Sequence, residues 1–295
     1  MIELVIVAVL STIVGVVWGL VVRALPQADL ARSASQQLGA RLAKRRDVRR
    51  FLRGRLNPEK VTGLALTFAL AGVVIAGIVF GVFVAMIRSN SSLVNVDMDV
   101  TRWAATHATT ASLNVLGWLT WAGGTIVVVV VALATTVYAM RAWRRWSVAL
   151  FFLVVVGGQL LLSNLIKIAV ERVRPDVPPL HVLLGPSFPS GHATAAAATW
   201  AAVALVLGRG TSSPRARAVL AGTAAGIAVA VACSRVFLGA HWTSDVIGGL
   251  ILGWTWFGLC AVAFGGRRLR LGAPAKEAAA ASAPPAPEDA HPAVP

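Results

Sequence analysis

Long apolar runs that contain no charged side chain constrain the fold of this chain more than any other feature of its sequence. A helix rises about 1.5 Å per residue, so about 20 apolar residues cross the roughly 30 Å of hydrocarbon in a lipid bilayer. Seven runs approach or exceed that length: 4–22, 61–87, 113–140, 146–166, 192–208, 218–234 and 246–266. In lipid every backbone polar group needs an internal partner, which a helix provides within one segment. The sequence therefore predicts an all-α, polytopic membrane helix bundle with about seven transmembrane helices.

The distribution of basic residues predicts the orientation of this bundle. The chain has 27 Lys and Arg residues and a formal net charge of +15, which in a soluble protein would suggest a nucleic-acid partner. Only 13% of its residues are charged, however, against about 25% in a typical soluble domain. Of the 27 basic residues, 21 lie in four alternate loops: 23–60, 141–145, 209–217 and 267–276. Because cytoplasmic loops are enriched in Lys and Arg, we expect the N-terminus outside and the C-terminus in the cytoplasm.

Composition divides the chain into three parts. Residues 1–60 combine an N-terminal anchor helix with a basic cytoplasmic segment; a secretory signal is the alternative for the helix, but its basic residues follow the apolar run instead of preceding it. Polybasic segments beside a membrane helix attract anionic headgroups, so we expect anionic lipids there, and no nucleic acid. Residues 61–270 form the predicted six-helix membrane domain. The Ala- and Pro-rich residues 271–295 are expected to be a disordered tail.

Three polar stretches interrupt the apolar background, all at predicted outer ends of helices. In the first, Lys167 and Arg174 are seven residues apart, or two helical turns. Both are therefore expected to project from one face of the helix that begins at Trp146. Pro175 is then expected to end that helix. Taken alone, the pair also fits basic side chains that extend from a helix end toward the headgroups.

The second stretch, Pro189-Ser190-Gly191-His192, precedes an alanine-rich apolar run. Serine before such a run is typical of a helix N-cap, and glycine lets the backbone approach a ligand. The free N–H groups and the positive end of the helix dipole then form an anion-binding site. A helix cap with an interfacial histidine is the simpler alternative. Small residues in the run and at Gly248-Gly249 permit close packing of helices.

The third stretch contains Ser234, Arg235, His241 and Asp245, between the sixth and seventh predicted helices. His241 and Asp245 stand at positions i and i+4. If the last helix begins near them, the carboxylate can accept the proton of one imidazole nitrogen. The other nitrogen is then free to act as a nucleophile, as in catalytic triads. Chance could also produce a single pair at this spacing.

Together the stretches read Lys-x6-Arg-Pro, Pro-Ser-Gly-His and Ser-Arg-x5-His-x3-Asp. This pattern resembles the three-part signature of the type 2 phosphatidic acid phosphatases, and every signature position is filled in order. The resemblance covers roughly residues 61–266, with a weaker likeness at Asp99–Trp103. It implies a six-helix core, so the first helix would be an addition to that core.

The resemblance implies roles for eight of the signature residues. His241 would attack phosphorus and form a phosphohistidine, Asp245 would orient it, and His192 would act as general acid and base. The phosphoryl oxygens would be held by five substrate-binding residues: Lys167, Arg174, Ser190, Gly191 and Arg235. With three cations and a helix terminus available, we expect no metal and no cofactor. Four nearby residues outside the signature are interpreted as loop polars: Glu171, Arg172, Asp176 and His181.

The resemblance also implies a membrane lipid as the substrate, since the stretches lie where helices leave the bilayer. Candidates are polyprenyl phosphate or diphosphate, phosphatidic acid, phosphatidylglycerol phosphate and phosphorylated glycolipids. An outward site favours a polyprenyl carrier in a bacterial plasma membrane, but the sequence leaves the lipid and the oligomeric state open. A protein that binds or transports an anion or a lipid phosphate through the same cationic pocket is the alternative. The vanadium haloperoxidases share such a pocket, but they resemble soluble proteins with long insertions.

Overall fold

The computed structural model describes residues 1–24, 61–89, 92–176 and 185–264, and within these residues it contains helices and no strand. The nine α-helices of this part are α1 (Ile2–Ala24), α2 (Val61–Arg88), α3 (Ser92–His107), α4 (Thr110–Thr120), α5 (Thr125–Trp143), α6 (Ser147–Val170), α7 (Gly191–Gly208), α8 (Pro214–Phe237) and α9 (Thr243–Phe264). The predicted all-α bundle is confirmed. The basic segment 25–60 and the tail 271–295 lie outside the described residues, and the division into domains stays a prediction.

Six helices in the described part are long and apolar enough to cross a membrane, namely α1 and α5 to α9. The second half of α2 meets α3 at an angle of 77°, and this bent pair could supply a seventh span. The chain is therefore an integral, multi-pass membrane protein. The sequence predicts seven spans, and the described residues contain six candidate spans, or seven if the bent pair is counted as one.

The third apolar run, 113–140, does not form the single helix that its composition predicts. A short 3-10 turn at Trp121–Gly123 separates α4 from α5. A Cβ atom at position 123 would lie 2.6 Å from the backbone oxygen of His192. This turn can therefore contact α7 only because Gly123 has no side chain. The span is thus broken where its backbone meets the first turn of α7.

α7 lies at the centre of the bundle and packs against α5, α6, α8 and α9. Three alanines of its first two turns have no exposed surface: Ala193, Ala196 and Ala198. A side chain at Gly249 of α9 would lie 2.8 Å from the backbone oxygen of Ser190, so these helices pack backbone to backbone. The close packing expected from the small residues is confirmed.

α1 packs against α8 along a line of small residues. A side chain at Gly15 would lie 2.8 Å from the backbone oxygen of Gly222, and one at Gly226 would lie 3.1 Å from that of Ser11. The two backbones are in direct contact, as in glycine-mediated pairs of membrane helices. Because the earlier residue of α1 meets the later residue of α8, the helices are antiparallel. The start of α1 therefore lies on the same side of the bundle as the end of α8, which carries Arg235.

Candidate active site

The end of α6 differs from the prediction. The helix stops at Val170, and Glu171 adopts a left-handed conformation (φ 50°) in which its N–H donates to Lys167 O (2.9 Å). Lys167 therefore lies on the helix, whereas Arg174 lies on the non-helical segment that follows. The prediction that both side chains share one helix face, ended by Pro175, is wrong.

The non-helical segment after α6 turns two arginines toward the protein interior. Val173, between Arg172 and Arg174, is 81% exposed. Ser187 holds the segment in place, since its N–H donates to Arg172 O (2.8 Å) and its hydroxyl donates to Val173 O (3.1 Å). Arg174 donates from Nη1 to Ala240 O (2.6 Å). Its guanidinium thereby reaches the loop between α8 and α9.

The first turn of α7 carries the second polar stretch. Ser190 occupies the N-cap position, and its N–H donates to Asp245 O (3.0 Å), which ties the start of α7 to α9. The Ser190 hydroxyl is buried but makes no hydrogen bond. Lys167 Nζ lies 3.7 Å from the position that a side chain on Gly191 would occupy. The N-terminus of α7 and the Lys167 ammonium group therefore border the same space.

His241 lies in the loop between α8 and α9 and is only 2% exposed. Its Nδ1 lies 3.6 Å from Asp245 Oδ2, which is longer than a hydrogen bond, and its Nε2 lies 3.5 Å from Arg174 Nη1. α9 begins at Thr243, so Asp245 lies in its first turn. The carboxylate therefore approaches one edge of the imidazole ring and the guanidinium approaches the other.

The surroundings of His241 determine its protonation state. Burial lowers the pKa of His241 to about 4, and this effect exceeds that of the Asp245 carboxylate, which raises the pKa. The charges of Arg235 and Arg174 lower the pKa further. Burial also lowers the pKa of Arg174. His241 is therefore neutral near pH 7, and one ring nitrogen has a lone pair available for bond formation.

Arg235 and His192 complete the site at the ends of α8 and α7. Arg235 Nη1 donates to Thr120 Oγ1 (3.2 Å), whereas its buried Nε has no partner. Thr120 is the last residue of α4, so the broken third run contributes directly to the site. Four charged or ionisable side chains lie within electrostatic range of His192: Lys167, Arg174, Arg235 and His241. The eight residues predicted from the sequence thus lie together at one end of the bundle.

Comparison with known proteins identifies the family. Residues 148–269, which contain all eight of these residues, match the PAP2 superfamily. The decaprenylphosphoryl-5-phosphoribose phosphatase of Mycobacterium tuberculosis is 33% identical over 159 residues, which cover 52% of this chain and 75% of that protein. This chain belongs to the PAP2 superfamily.

Further PAP2 proteins match a shorter part of the chain. Phosphatidylglycerophosphatase B of Bacillus subtilis is 38% identical over 39% of this chain and 57% of its own length. A lipid A 1-phosphatase of Rhizobium johnstonii is 40% identical over 41% of this chain and 49% of its own length. The chain thus spans about half the length of these two relatives. The crystal structure of a transmembrane PAP2-type phosphatidylglycerolphosphate phosphatase from Bacillus subtilis is also similar, with a TM-score of 0.61 and 28% identity over 66% of this chain and 97% of that one.

Two residues outside the PAP2 signature also reach the site. The interpretation of Arg172 as a loop polar is wrong, because its side chain is only 10% exposed and pairs with two carboxylates. Arg172 Nη1 lies 2.6 Å from Asp245 Oδ1, and Nη2 lies 2.8 Å from Asp97 Oδ2. The weaker sequence likeness included Asp99, but Asp99 is exposed.

A periodic signal in the sequence could have found Asp97. Three residues of α3 recur at the spacing of one helix face and are all buried: Asp97, Thr101 and Ala104. A carboxylate on the buried face of an amphipathic helix needs a cationic or hydrogen-bonding partner. No comparable signal points to Arg172, because its orientation depends on where α6 ends.

Within the described residues, no group of three or more His, Cys, Asp or Glu side chains is arranged to hold a metal ion. The site instead contains cations and hydrogen-bond donors: Arg174 lies 3.5 Å from His241 Nε2, and Lys167, Ser190 and Arg235 lie at the same end of the bundle. This arrangement is suited to an anion with several oxygen atoms, such as a phosphate.

Proposed function

We propose that this chain is a membrane phosphatase that hydrolyses a phosphate monoester or diphosphate of a lipid through a phosphohistidine on His241, without a metal ion. The observation that carries the proposal is the environment of His241. Its imidazole is buried and neutral near pH 7, with Arg174 at Nε2 and Asp245 at Nδ1. A nucleophile needs a free lone pair on one side and an orienting carboxylate on the other.

Buried groups without partners support phosphate as the ligand. Ser190 Oγ and Arg235 Nε are both buried and unpaired. Leaving a buried donor unsatisfied costs about 1–3 kcal/mol, and phosphoryl oxygens would satisfy both groups. Lys167 and Arg174 add positive charge beside them, and the free N–H groups at the start of α7 add further donors. These groups would neutralise the charge that develops on the phosphoryl oxygens, a task that a metal ion performs in other phosphatases.

In the first step, His241 Nε2 donates its lone pair to phosphorus, and the bond between phosphorus and the leaving oxygen breaks. His192, as an imidazolium, gives its proton to that oxygen, so that an alcohol or a phosphate leaves. The negative charge of the bound phosphate favours this protonated form of His192. Asp245 stabilises the positive charge that phosphorylation creates on the His241 ring.

In the second step, a water molecule attacks the phosphohistidine. His192, which is now neutral, accepts a proton from the water, and the bond between phosphorus and nitrogen breaks. Its electron pair returns to His241 Nε2, inorganic phosphate leaves and His192 is again an imidazolium. One water molecule is consumed in each cycle, and both histidines regain their starting states.

The relatives support a lipid as the carrier of the phosphate. Their names specify a phosphatidylglycerophosphate, a lipid A 1-phosphate and a decaprenylphosphoryl-5-phosphoribose, which share a phosphate on a membrane-embedded lipid. One relative of which this chain covers 75% is named for a polyprenyl compound. We therefore propose a polyprenyl phosphate or diphosphate as the first substrate to test.

Purified protein in detergent micelles tests this function. In the presence of EDTA we expect release of inorganic phosphate from at least one of four lipids: a polyprenyl phosphate, a polyprenyl diphosphate, phosphatidic acid or phosphatidylglycerol phosphate. Vanadate should inhibit release, because it adopts the trigonal bipyramidal geometry of the phosphoryl group in transfer. A strict requirement for a divalent cation would contradict the mechanism. Binding of a lipid phosphate without release would instead favour the binding or transport alternative.

We also propose that the site faces the outside of the cell, on the basis of the positive-inside distribution of Lys and Arg. Cysteine labelling in a variant that lacks Cys233 and Cys260 tests this orientation. Val173→Cys is expected to react with a membrane-impermeant maleimide in intact cells, since Val173 is 81% exposed beside the site. Ser213→Cys, between α7 and α8, should react only after permeabilisation. The reverse pattern would place the site in the cytoplasm.

A further inference from the structure

A buried ion-pair network lies on the Nδ1 side of His241 and is separate from the phosphate-facing cations. Arg172 donates from Nη1 to Asp245 Oδ1 (2.6 Å) and from Nη2 to Asp97 Oδ2 (2.8 Å). Its Nη1 also donates to Ser244 Oγ (2.7 Å). One guanidinium therefore connects the segment after α6 with α3 and with the first turn of α9.

Asp97 is held from two sides. Its Oδ1 accepts the N–H of Ser244 (2.8 Å), and its Oδ2 accepts the Ser244 hydroxyl as well as Arg172. Ser244 lies in the first turn of α9, where the free N–H groups and the helix dipole favour a negative charge. The carboxylate of Asp97 is 1% exposed, so it has little access to water and depends on these partners.

The partners of Asp245 determine which of its oxygens faces the histidine. Oδ1 accepts from Arg172, whereas Oδ2 accepts the N–H of Trp242 (3.0 Å) and lies 3.6 Å from His241 Nδ1. The Trp242 ring lies against the Arg172 guanidinium, whose central carbon is 5.5 Å from the ring centroid. With Oδ1 held in this way, the carboxylate cannot rotate away from His241 without breaking a buried ion pair.

We propose that Arg172 and Asp97 form a positioning pair for the reaction at His241, an inference that rests on the proposed function. Arg172 orients Asp245, and Asp97 takes a share of the Arg172 charge. Because Arg172 is shared by two buried carboxylates, it neutralises the negative charge of Asp245 only in part. The remaining charge lies on the side of His241. That charge is needed when phosphorylation makes the imidazole ring positive.

The position of the pair predicts which kinetic constant it affects. Arg172 and Asp97 lie on the Nδ1 side of His241, whereas the phosphate is expected on the Nε2 side. Neither residue would touch the substrate, so their loss should lower kcat and leave KM nearly unchanged. A contribution to substrate binding would instead raise KM.

Two conservative variants with matched controls test the pair. Asp97→Asn keeps the shape of the side chain but removes its charge, and Arg172→Lys keeps the charge but cannot hold two carboxylates in the fixed geometry of a guanidinium. We expect each to lower kcat by about 10- to 100-fold, the usual effect of losing an orienting partner, with KM within about threefold of the wild-type value. The controls Asp99→Asn and Arg102→Lys change exposed residues of α3 and should keep wild-type kcat.

A double variant separates positioning from folding. Arg172→Met leaves two buried carboxylates without their shared cation, so this variant is expected to misfold. Adding Asp97→Asn removes one of the two charges and should recover protein that elutes as a single species in size-exclusion chromatography. If the pair positions Asp245, the recovered protein still has a kcat at least about tenfold below wild type. Wild-type kcat in the recovered double variant would show that the pair only stabilises the fold, and would overturn the proposal.

The outcomes separate this proposal from the proposed function. If the wild-type protein releases phosphate and His241→Ala does not, wild-type kcat in Asp97→Asn and Arg172→Lys overturns the positioning pair alone. If His241→Ala releases phosphate as fast as the wild-type protein, the proposed mechanism fails and the positioning pair fails with it.

Discussion

The two edges of the His241 ring face opposite kinds of surroundings. Arg174 Nη1 lies 3.5 Å from Nε2, and two further groups of the site, Ser190 Oγ and Arg235 Nε, are buried without hydrogen-bond partners. On the Nδ1 side, both carboxylate oxygens of Asp245 accept hydrogen bonds, one from Arg172 (2.6 Å) and one from the Trp242 N–H (3.0 Å). Unpaired donors are arranged to receive an anion, whereas the hydrogen bonds to Asp245 hold its carboxylate in one geometry, 3.6 Å from His241 Nδ1, which has no hydrogen-bond partner of its own.

This difference shows how the bundle can combine a rigid nucleophile with an accommodating anion site. The unpaired donors cost folding free energy until a ligand binds, so they are found where a ligand is expected. On the Nδ1 side, the carboxylates of Asp97 and Asp245 would be costly to bury without a cation, and their ion pairs with Arg172 offset that cost. Each edge of the ring can therefore be tested by itself.

Removing the ring should have the largest effect. His241→Ala eliminates the nucleophile and should lower kcat/KM by about 10⁴-fold or more, measured as phosphate release from the preferred lipid. His107→Ala is the control, since His107 is an exposed histidine at the end of α3 and should leave the rate unchanged. Activity of His241→Ala within about tenfold of wild type would mean that another group attacks phosphorus.

The Nε2 side should show the next largest effect. Arg174→Ala removes the guanidinium nearest to His241 Nε2, and loss of one such donor usually lowers kcat by about 10²- to 10³-fold. Arg102→Ala removes an exposed arginine and serves as the control. If the two variants lose activity equally, the phosphate does not bind on this edge of the ring.

The pH dependence should reflect the burial of the ring. Protonation removes the lone pair of His241, so activity is present above its pKa and is lost as the pH falls through it. With the pKa held at about 4 by burial, protonation of His241 should cause no fall in kcat/KM between pH 7 and pH 5. A histidine with an ordinary pKa near 6.5 would be only about 3% neutral at pH 5.

This pH profile requires one correction, because the lipid phosphate also ionises in this range. The ionisation can be measured on the same micelles without enzyme by ³¹P NMR, and its contribution can then be divided out. A corrected acid limb near pH 6.5 would mean that His241 is more accessible to water than its burial implies.

The smallest effect should come from the broken third span. Thr120→Val removes the hydroxyl that accepts a hydrogen bond from Arg235 Nη1. We expect kcat/KM to fall by about three- to tenfold, since one hydrogen bond to a charged group is lost and the guanidinium itself remains. Thr110→Val, an exposed residue in the first turn of the same helix, is the control. An unchanged rate in Thr120→Val would show that α4 does not orient Arg235.

Much of this protein could be predicted from the sequence because membrane helices leave a strong signal. The apolar runs predict the helices and approximate most of their ends, since lipid permits few other structures over such lengths. The eight candidate site residues could likewise be predicted as a group, because their spacing places them at helix ends on one side of the bundle. The structure brings all of them together: the Ser190 N–H donates a hydrogen bond to the backbone oxygen of Asp245, and Arg174 lies beside His241.

The tertiary structure alone decided the features that depend on contacts between distant segments. The third span breaks at Gly123, where the backbone oxygen of His192 in α7 lies 2.6 Å from the position that a Cβ atom would occupy. Apolar composition carries no information about that contact. The end of α6 at Val170 lets Arg172 turn inward, and its partner Asp97 is 75 residues away in the sequence. A buried charge is stable only beside its partner, so the role of Arg172 becomes visible only when the fold has brought that partner to it.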